Sequence, residues 1–214
     1  MKVERFTEGL SLAEYLQIEQ DLVKDVKEPT LFTWIVEPTV IYGRHQSAEV
    51  EVNEDYCRAH GIAVVQRKSG GGCVYADRGN LMISVIEPKN TDHSVDSVQN
   101  TDQNTFERVL AWVCKALQAK GIEAVTTEHN DILVGGRKIS GWACYTTPTG
   151  TIVHGTMLYD VNLEDLQQAI TPTKEKLNKH GVASVRQRVA NLNELTDAFP
   201  KIEDLRAYIE QMAQ

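Results

Sequence analysis

The chain has 214 residues, 42% hydrophobic and 24% charged, which is ordinary for a globular protein and enough for one domain. A formal net charge of −8 disfavours nucleic acid as the main partner, and the absence of a signal core or long apolar run argues against a membrane, so a cytoplasmic location is expected. Cys57, Cys73, Cys114 and Cys144 lack CxxC spacing and the histidines form no HExxH-type cluster, which argues against a zinc ribbon, a disulfide framework and a transition-metal site.

Ser11 is placed to cap a first helix whose apolar residues Leu12, Tyr15, Leu16, Leu22, Val23 and Val26 recur at roughly the 3.6-residue helical period, and Pro29 ends it. Short β-type runs are expected over residues 31–36, 39–42 and 62–66, with a short helix over 53–60. A glycine-dense turn leads to strands over 73–75 and 81–87, and the Asn-, Asp- and Ser-rich stretch 87–103 reads as a surface loop. Phe106, Val109, Leu110, Val113 and Leu117 mark one face of a helix ending near Gly121. Residues 131–134 and 138–145 flank Gly135-Gly136, a hairpin signal. Residues 151–161 alternate as a strand, Asn162 caps a helix carrying Leu163, Leu166 and Ile170, and two more helical stretches are expected over 185–195 and 200–212. Hairpins join many of the strands and helices only some. The expectation is therefore one α+β domain over residues 1–214, a mixed, largely antiparallel sheet flanked by helices.

Three stretches carry chemistry. In Arg67-Lys68-Ser69-Gly70-Gly71-Gly72-Cys73-Val74-Tyr75, consecutive glycines expose backbone N–H groups and let the main chain approach a ligand, and two cations stand beside them. That suits a phosphate or an acyl-adenylate, the alternative being a flexible turn. No Gly-Lys-Ser/Thr follows, so this is not a P-loop. In the stretch from Asn130-Asp131 to Lys138-Ile139-Ser140-Gly141, pairing around the glycines would hold Lys138 on a strand, where it can neutralise charge on a phosphoryl or carboxyl group. An exposed hairpin with solvated charges is the plainer reading. In His154-Gly155-Thr156, a mid-strand glycine marks close approach of a ligand or another backbone, and the histidine fits a structural role equally.

Together with Gly43-Arg44-His45-Gln46, Asp77, Gly79-Asn80 and the run KLNKHGVASVRQRVANL from Lys176 to Leu192, these stretches resemble the lipoate–protein ligase family, over about residues 31–195. The resemblance implies the catalytic domain shared by biotin ligases and class II synthetases. It implies activation of lipoate with ATP and Mg2+ to lipoyl-AMP, then transfer to a lysine of an apo lipoyl-domain protein, such as a 2-oxoacid dehydrogenase E2 subunit or the glycine-cleavage H protein. It places Lys138 as the catalytic residue. Arg67, Ser69, Gly70, Gly71, Gly72, Cys73, Val74, Tyr75, Asn80, Asn130, Asp131, Ser140 and Gly141 join it around the nucleotide and adenylate. Arg44, Gly71, His154, Gly155 and Thr156 are expected along the lipoyl channel, with Asp131 orienting Lys138 or a Mg2+ ion.

The sequence departs from the family pattern at Ala76, where a histidine is common, and at Cys73, where alanine is common. Many members continue into a small C-terminal accessory domain that this sequence lacks, so a separate accessory protein for the ATP step, or use of preformed lipoyl-AMP, is expected. The alternative is an octanoyl or lipoyl transferase with an acyl carrier or lipoylated donor. Its nucleophilic cysteine would fall at Thr151 or within residues 121–128, and neither place has one; Cys144 matches neither. Biotin ligases carry a GRGR-like repeat where this chain has RKSGGG, and a non-enzymatic binding module would have no need of Lys138. Lys176, Lys179, Arg186 and Arg188 either form a basic edge for the acceptor or cover a solvent-facing helix.

Overall fold

Ser11 caps the first helix as the sequence requires: its hydroxyl accepts from the Glu14 N–H, and the Glu14 carboxylate reaches back to the Ser11 backbone. That helix, α1 (Leu12–Asp25), opens a fold seen in a computed structural model that describes residues 1–89, 102–128, 130–170 and 189–214. Around it the chain runs β1 (Lys2–Val3), β2 (Thr30–Trp34), β3 (Thr39–Tyr42), α2 (Ala48–Glu51), α3 (Glu54–Ala59), β4 (Ala63–Gln66), β5 (Val74–Ala76) and β6 (Asn80–Pro88). Then follow α4 (Asp102–Gln118), β7 (Ala124–Thr126), β8 (Asp131–Val134), β9 (Arg137–Thr146), β10 (Gly150–Leu158), α5 (Leu163–Ala169) and α6 (Ile202–Met212).

Seven strands form the main sheet in the order β1-β2-β6-β10-β9-β8-β7, antiparallel except for the β1–β2 pair. A second sheet, β4-β3-β5, has β3 parallel to β4 and antiparallel to β5. The fold class is the expected α+β, with a mixed, largely antiparallel sheet between helices. The period-2 alternation of β6 divides the core: Leu81, Ile83 and Val85 join α4 and α6 on one face, while Met82 and Ile86 face α1 on the other. Between those last two lies Ser84, which is buried and hydrogen-bonded.

The elements that sequence reasoning missed are those with little periodicity to read. β1, α2 and β7 span two, four and three residues, and two of the three in β7 are exposed. The expected loop gives ground at both ends, since β6 runs to Pro88 and α4 starts at Asp102; residues 90–101 lie outside the described part. The helix expected over 185–195 is not formed within residues 189–195. Val189 bridges to Lys138, and only Leu192–Glu194 make a 3-10 turn. Asn191 instead clamps Val161, accepting from its N–H and donating to its carbonyl, both at 2.9 Å. Most of the Lys176-to-Leu192 run, with Lys179, Arg186 and Arg188, lies outside the described residues. Among the described residues, no helix is long and apolar enough to cross a membrane.

Candidate active site

Lys138 reaches the site because of a β-bulge. Asp131 pairs with Gly141 and Ile132 with Ser140, but Leu133 pairs with Lys138, which leaves Ile139 as an extra residue on β9. Without it, strict alternation would put Lys138 on the face of Ser140 and Trp142, towards the core. The bulge spends one inward position on the buried Ile139 and turns Lys138 to the other face, beside Gly141 and Ala143. There its Nζ lies 2.7 Å from Asp131 Oδ1. The backbone of Lys138 is fixed from the far side, where its carbonyl accepts from the Ala190 N–H at 2.9 Å. The end of the family-like run thus holds the strand that carries the lysine.

Asn130, before Asp131, adopts φ 65° and accepts the Trp142 N–H through its carbonyl. Asparagine tolerates this left-handed geometry better than most residues. Gly141 keeps space for the lysine: a Cβ there would lie 2.9 Å from Lys138 Nζ and 3.0 Å from Cε. Gly141→Ala is therefore expected to leave the thermal midpoint within a few degrees, since the flexible lysine end can yield. It should nonetheless lower by about tenfold or more the rate of the lipoate adenylation that the resemblance implies, as measured by pyrophosphate release.

Opposite Lys138 stands the glycine turn, organised by Arg67. This guanidinium is buried, and it donates to the carbonyls of Ile41 (3.1 Å), Gly70 (2.7 Å) and Gly72 (2.7 Å) and to Ser69 Oγ (3.0 Å). Among the described residues it has no carboxylate partner, and burial pulls its pKa below the usual arginine value. With the turn's carbonyls drawn inward to Arg67, the N–H groups of Gly70, Gly71 and Gly72 have no acceptor among the described residues. The turn is also closely seated, since a Cβ at Gly43 would collide with the Gly71 carbonyl. A buried cation without a carboxylate partner, beneath N–H groups with no acceptor among the described residues, suits an anion.

A cavity of about 200 Å³ joins the two halves. Its polar end carries Arg67, Gly71, Gly72, Asn130, Asp131 and Lys138, and its apolar walls are Leu12, Leu16, Trp34, Ile41, Val74, Met82 and Trp142. Such a shape takes a molecule with an anionic head and an apolar tail. Cys73, Gly141, His154, Gly155 and Thr156 also line it, so most of the residues singled out in the sequence meet here.

Six do not line this cavity. Arg44 is exposed, its Nε directed to His45. Tyr75 is buried with its hydroxyl on Asp165 and lines a different cleft, and burial there raises its pKa. Ser140 faces the core between Trp142 Nε1 and the Thr156 carbonyl, the direction that the bulge denies to Lys138. Asn80 is fully buried, donates to Met82 Sδ and leaves Oδ1 without a partner among the described residues. Gly70 holds Arg67 from outside the cavity wall. Ser69 is buried behind the wall, on His154 and a neighbouring cavity. Sequence reasoning did not pick out Glu19, Trp34, Leu16 or Met82, because nothing in their own segments separates a cavity wall from a core.

Residues 11–213 match the lipoyl protein ligase A/B catalytic domain. The chain belongs to that family. It is 37% identical over 196 residues to the lipoate–protein ligase LplJ of Bacillus subtilis, covering 91% of this chain and 56% of that protein. It is 36% identical to lipoate–protein ligase 1 of Staphylococcus aureus, covering 91% and 57%. The chain thus spans a little over half the length of the curated relatives it matches. A lipoate–protein ligase A solved with ATP shares its fold at TM-score 0.82 and 24% identity, over 99% of this chain and 83% of that one. The bi-partite lipoate–protein ligase of Thermoplasma acidophilum, solved with its E2 lipoyl domain, gives TM-score 0.77 and 27% identity, over 98% and 80%. A biotin ligase from Aquifex aeolicus, solved with biotin and ATP, shares the fold at TM-score 0.51 and 13% identity, over 99% of this chain and 68% of that one.

Proposed function

We propose that the chain activates lipoate with ATP to lipoyl-AMP and passes the lipoyl group to a lysine of an apo lipoyl-domain protein. The observation that carries this is Lys138, aimed by the bulge across a cavity that is apolar at one end and faces unpartnered N–H groups at the other. In the first step a carboxylate oxygen bonds to the α-phosphorus and pyrophosphate leaves. In the second, the acceptor amine bonds to the carbonyl carbon and AMP leaves with the mixed-anhydride electrons.

Both reactants of the first step are anions, so the site must offset their repulsion. Lys138 does so between carboxylate and phosphate, and Asp131 holds its ammonium in place. The N–H groups of Gly71 and Gly72 face the phosphate, and Arg67 beneath them keeps their shape. The walls from Leu16 to Trp34 exclude water from the labile anhydride. Among the described residues no three acidic, histidine or cysteine side chains gather as a ready metal site, and Mg2+ does not need them, since it is commonly held by one carboxylate and substrate phosphates. Asp131, with one oxygen on Lys138, fits that role, and a bound Mg2+ would supply further neutralisation of the phosphates.

The named activity of the B. subtilis and S. aureus relatives supports this reading, as does the E2 lipoyl domain solved with the T. acidophilum ligase. E2 subunits and the glycine-cleavage H protein are the acceptors proposed, in the cytoplasm.

The carrier-dependent transferase keeps one observation of its own: Cys73 lines the cavity, whereas Cys144 packs on the core face and Thr151 is buried on β10. The test mixes the purified chain with lipoate, Mg-ATP and an apo lipoyl domain, following acceptor mass and AMP together. Both signals are expected. Transfer only from synthetic lipoyl-AMP would assign the ATP step to a partner, and transfer only from octanoyl carrier protein would overturn the ligase reading.

A further inference from the structure

Behind the cavity wall runs a row of buried hydrogen bonds whose directions are fixed from both ends. Trp34 Nε1 lies 2.9 Å from Ser84 Oγ, which lies 2.6 Å from Glu19 Oε1. His154 Nδ1 is 3.0 Å from both Glu19 oxygens, and its Nε2 is 2.7 Å from Ser69 Oγ. Arg67 Nε stands 3.0 Å beyond Ser69. An indole N–H and a guanidinium N–H only donate. Ser84 therefore accepts from Trp34 and gives its proton to Glu19. Ser69 accepts from Arg67, and among the described residues the acceptor within reach of its own proton is His154 Nε2. A proton on that nitrogen would leave the buried hydroxyl without an acceptor, whereas a ring that carries its proton on Nδ1, facing Glu19, satisfies both ends.

Every proton in the row points towards Glu19, a carboxylate on α1 that is 1% exposed. We propose that Glu19 is a positioning residue: it selects the Nδ1–H tautomer of His154 and, through Ser69 and Arg67, holds the glycine turn in its anion-binding shape. Arg67 couples the row to the turn, because the guanidinium that reaches Ser69 also draws in the carbonyls of Gly70 and Gly72. A serine–histidine–carboxylate row also activates a nucleophile in hydrolases. Here Ser69 is buried and already accepts from Arg67, so the row serves to orient the turn.

The substitution that separates charge from size is Glu19→Gln. Its amide can accept at one oxygen, but its NH2 group then opposes the His154 Nδ1–H at the other. Relief comes by moving the ring proton to Nε2, which in turn opposes the Ser69 hydroxyl. The effect on the turn rests on the ligase reading, whereas the tautomer does not.

The test uses the full chain labelled with 15N, with the His154 signals identified by their loss in His154→Gln. In the parent protein, long-range proton–nitrogen correlation is expected to show a neutral ring protonated at Nδ1. Glu19→Gln should shift the proton towards Nε2 and raise KM for ATP about tenfold, the scale of one misplaced buried hydrogen bond. Glu19→Asp should recover part of both effects. A loss of folded protein alone would lower the apparent turnover and leave KM unchanged. If Glu19→Gln does not fold, Ser69→Ala cuts the row on the other side: the Nδ1–H tautomer should persist while KM for ATP rises. A parent ring protonated at Nε2 overturns the proposal, as does a variant with a shifted tautomer and an unchanged KM. A parent chain with the expected tautomer but no turnover would sink the ligase reading and leave the tautomer assignment standing.

Discussion

Lys138→Ala is expected to lower kcat/KM for lipoyl-AMP formation by roughly a thousandfold, with the fold unchanged. Removing one donor aimed at developing charge typically costs about 10²–10³ in rate. Lys138 belongs at the upper end because it is asked to serve both the carboxylate and the phosphate, in a cavity shielded by Trp34, Leu16 and Met82. The stability cost should be small. The lysine side chain is 31% exposed and its Asp131 partner 23%, so solvent screens the pair and the loss is at most about 1 kcal/mol. For a chain of this size that shifts the thermal midpoint by no more than about 2–4 °C. Lys138→Arg should not restore the rate, because the gap left by Gly141 fits a slender ammonium and not a planar guanidinium. Single-turnover AMP formation and calorimetry on the same preparations measure both halves. A variant that still turns over within tenfold of the parent would remove Lys138 from the chemistry and leave the cavity as a binding site.

What the sequence could show about this lysine was its presence beside two glycines, not its direction. The hairpin was legible because Gly135-Gly136 interrupts two apolar runs. The bulge at Ile139 was not, because an extra isoleucine between Lys138 and Ser140 reads as ordinary strand. That one unseen residue explains why Lys138 lines the cavity while Ser140, two positions on, was expected there and faces the core. The glycine turn shows the same division. Three glycines beside Arg67 announced an anion site, but the arginine was expected to touch the ligand. Most of its hydrogen bonds go to Ile41, Ser69, Gly70 and Gly72 instead, carbonyls and a hydroxyl that no linear pattern connects to it. Tyr75 and Asn80 were expected at the site from the family resemblance. Strand alternation in the one case and full burial in the other carry them away from the cavity. Glu19 was hidden differently: on α1 it is one of four acidic residues, with Glu14, Asp21 and Asp25, and its partners are 65 and 135 positions away. Local periodicity located the elements, and pairing across the chain decided the site.

A large loss of stability from a single added methyl is expected at Gly155, where the Cβ would meet the Trp142 indole. A Cβ there would lie 2.5 Å from Trp142 Cε2 and 2.6 Å from Cε3, closer than any packed carbon pair. Trp142 is directly opposite on β9, and its indole N–H is tied to the Ser140 hydroxyl at 2.7 Å. The ring cannot slide away without breaking that bond or displacing the surrounding core. Gly155→Ala is therefore expected to cost about 1–3 kcal/mol, the usual range for an overpacked core, and to lower the thermal midpoint by several degrees. The strain also reaches function, because Trp142 and Thr156 line the cavity beside His154. KM for lipoate should rise more than KM for ATP, whose site lies at the other end. A double-mutant cycle identifies the cause: in a Trp142→Leu background, Gly155→Ala should cost much less, with a coupling of about 1–3 kcal/mol. Additive losses would mean that the alanine clashes elsewhere, and the account of Gly155 as the space for the indole would fall.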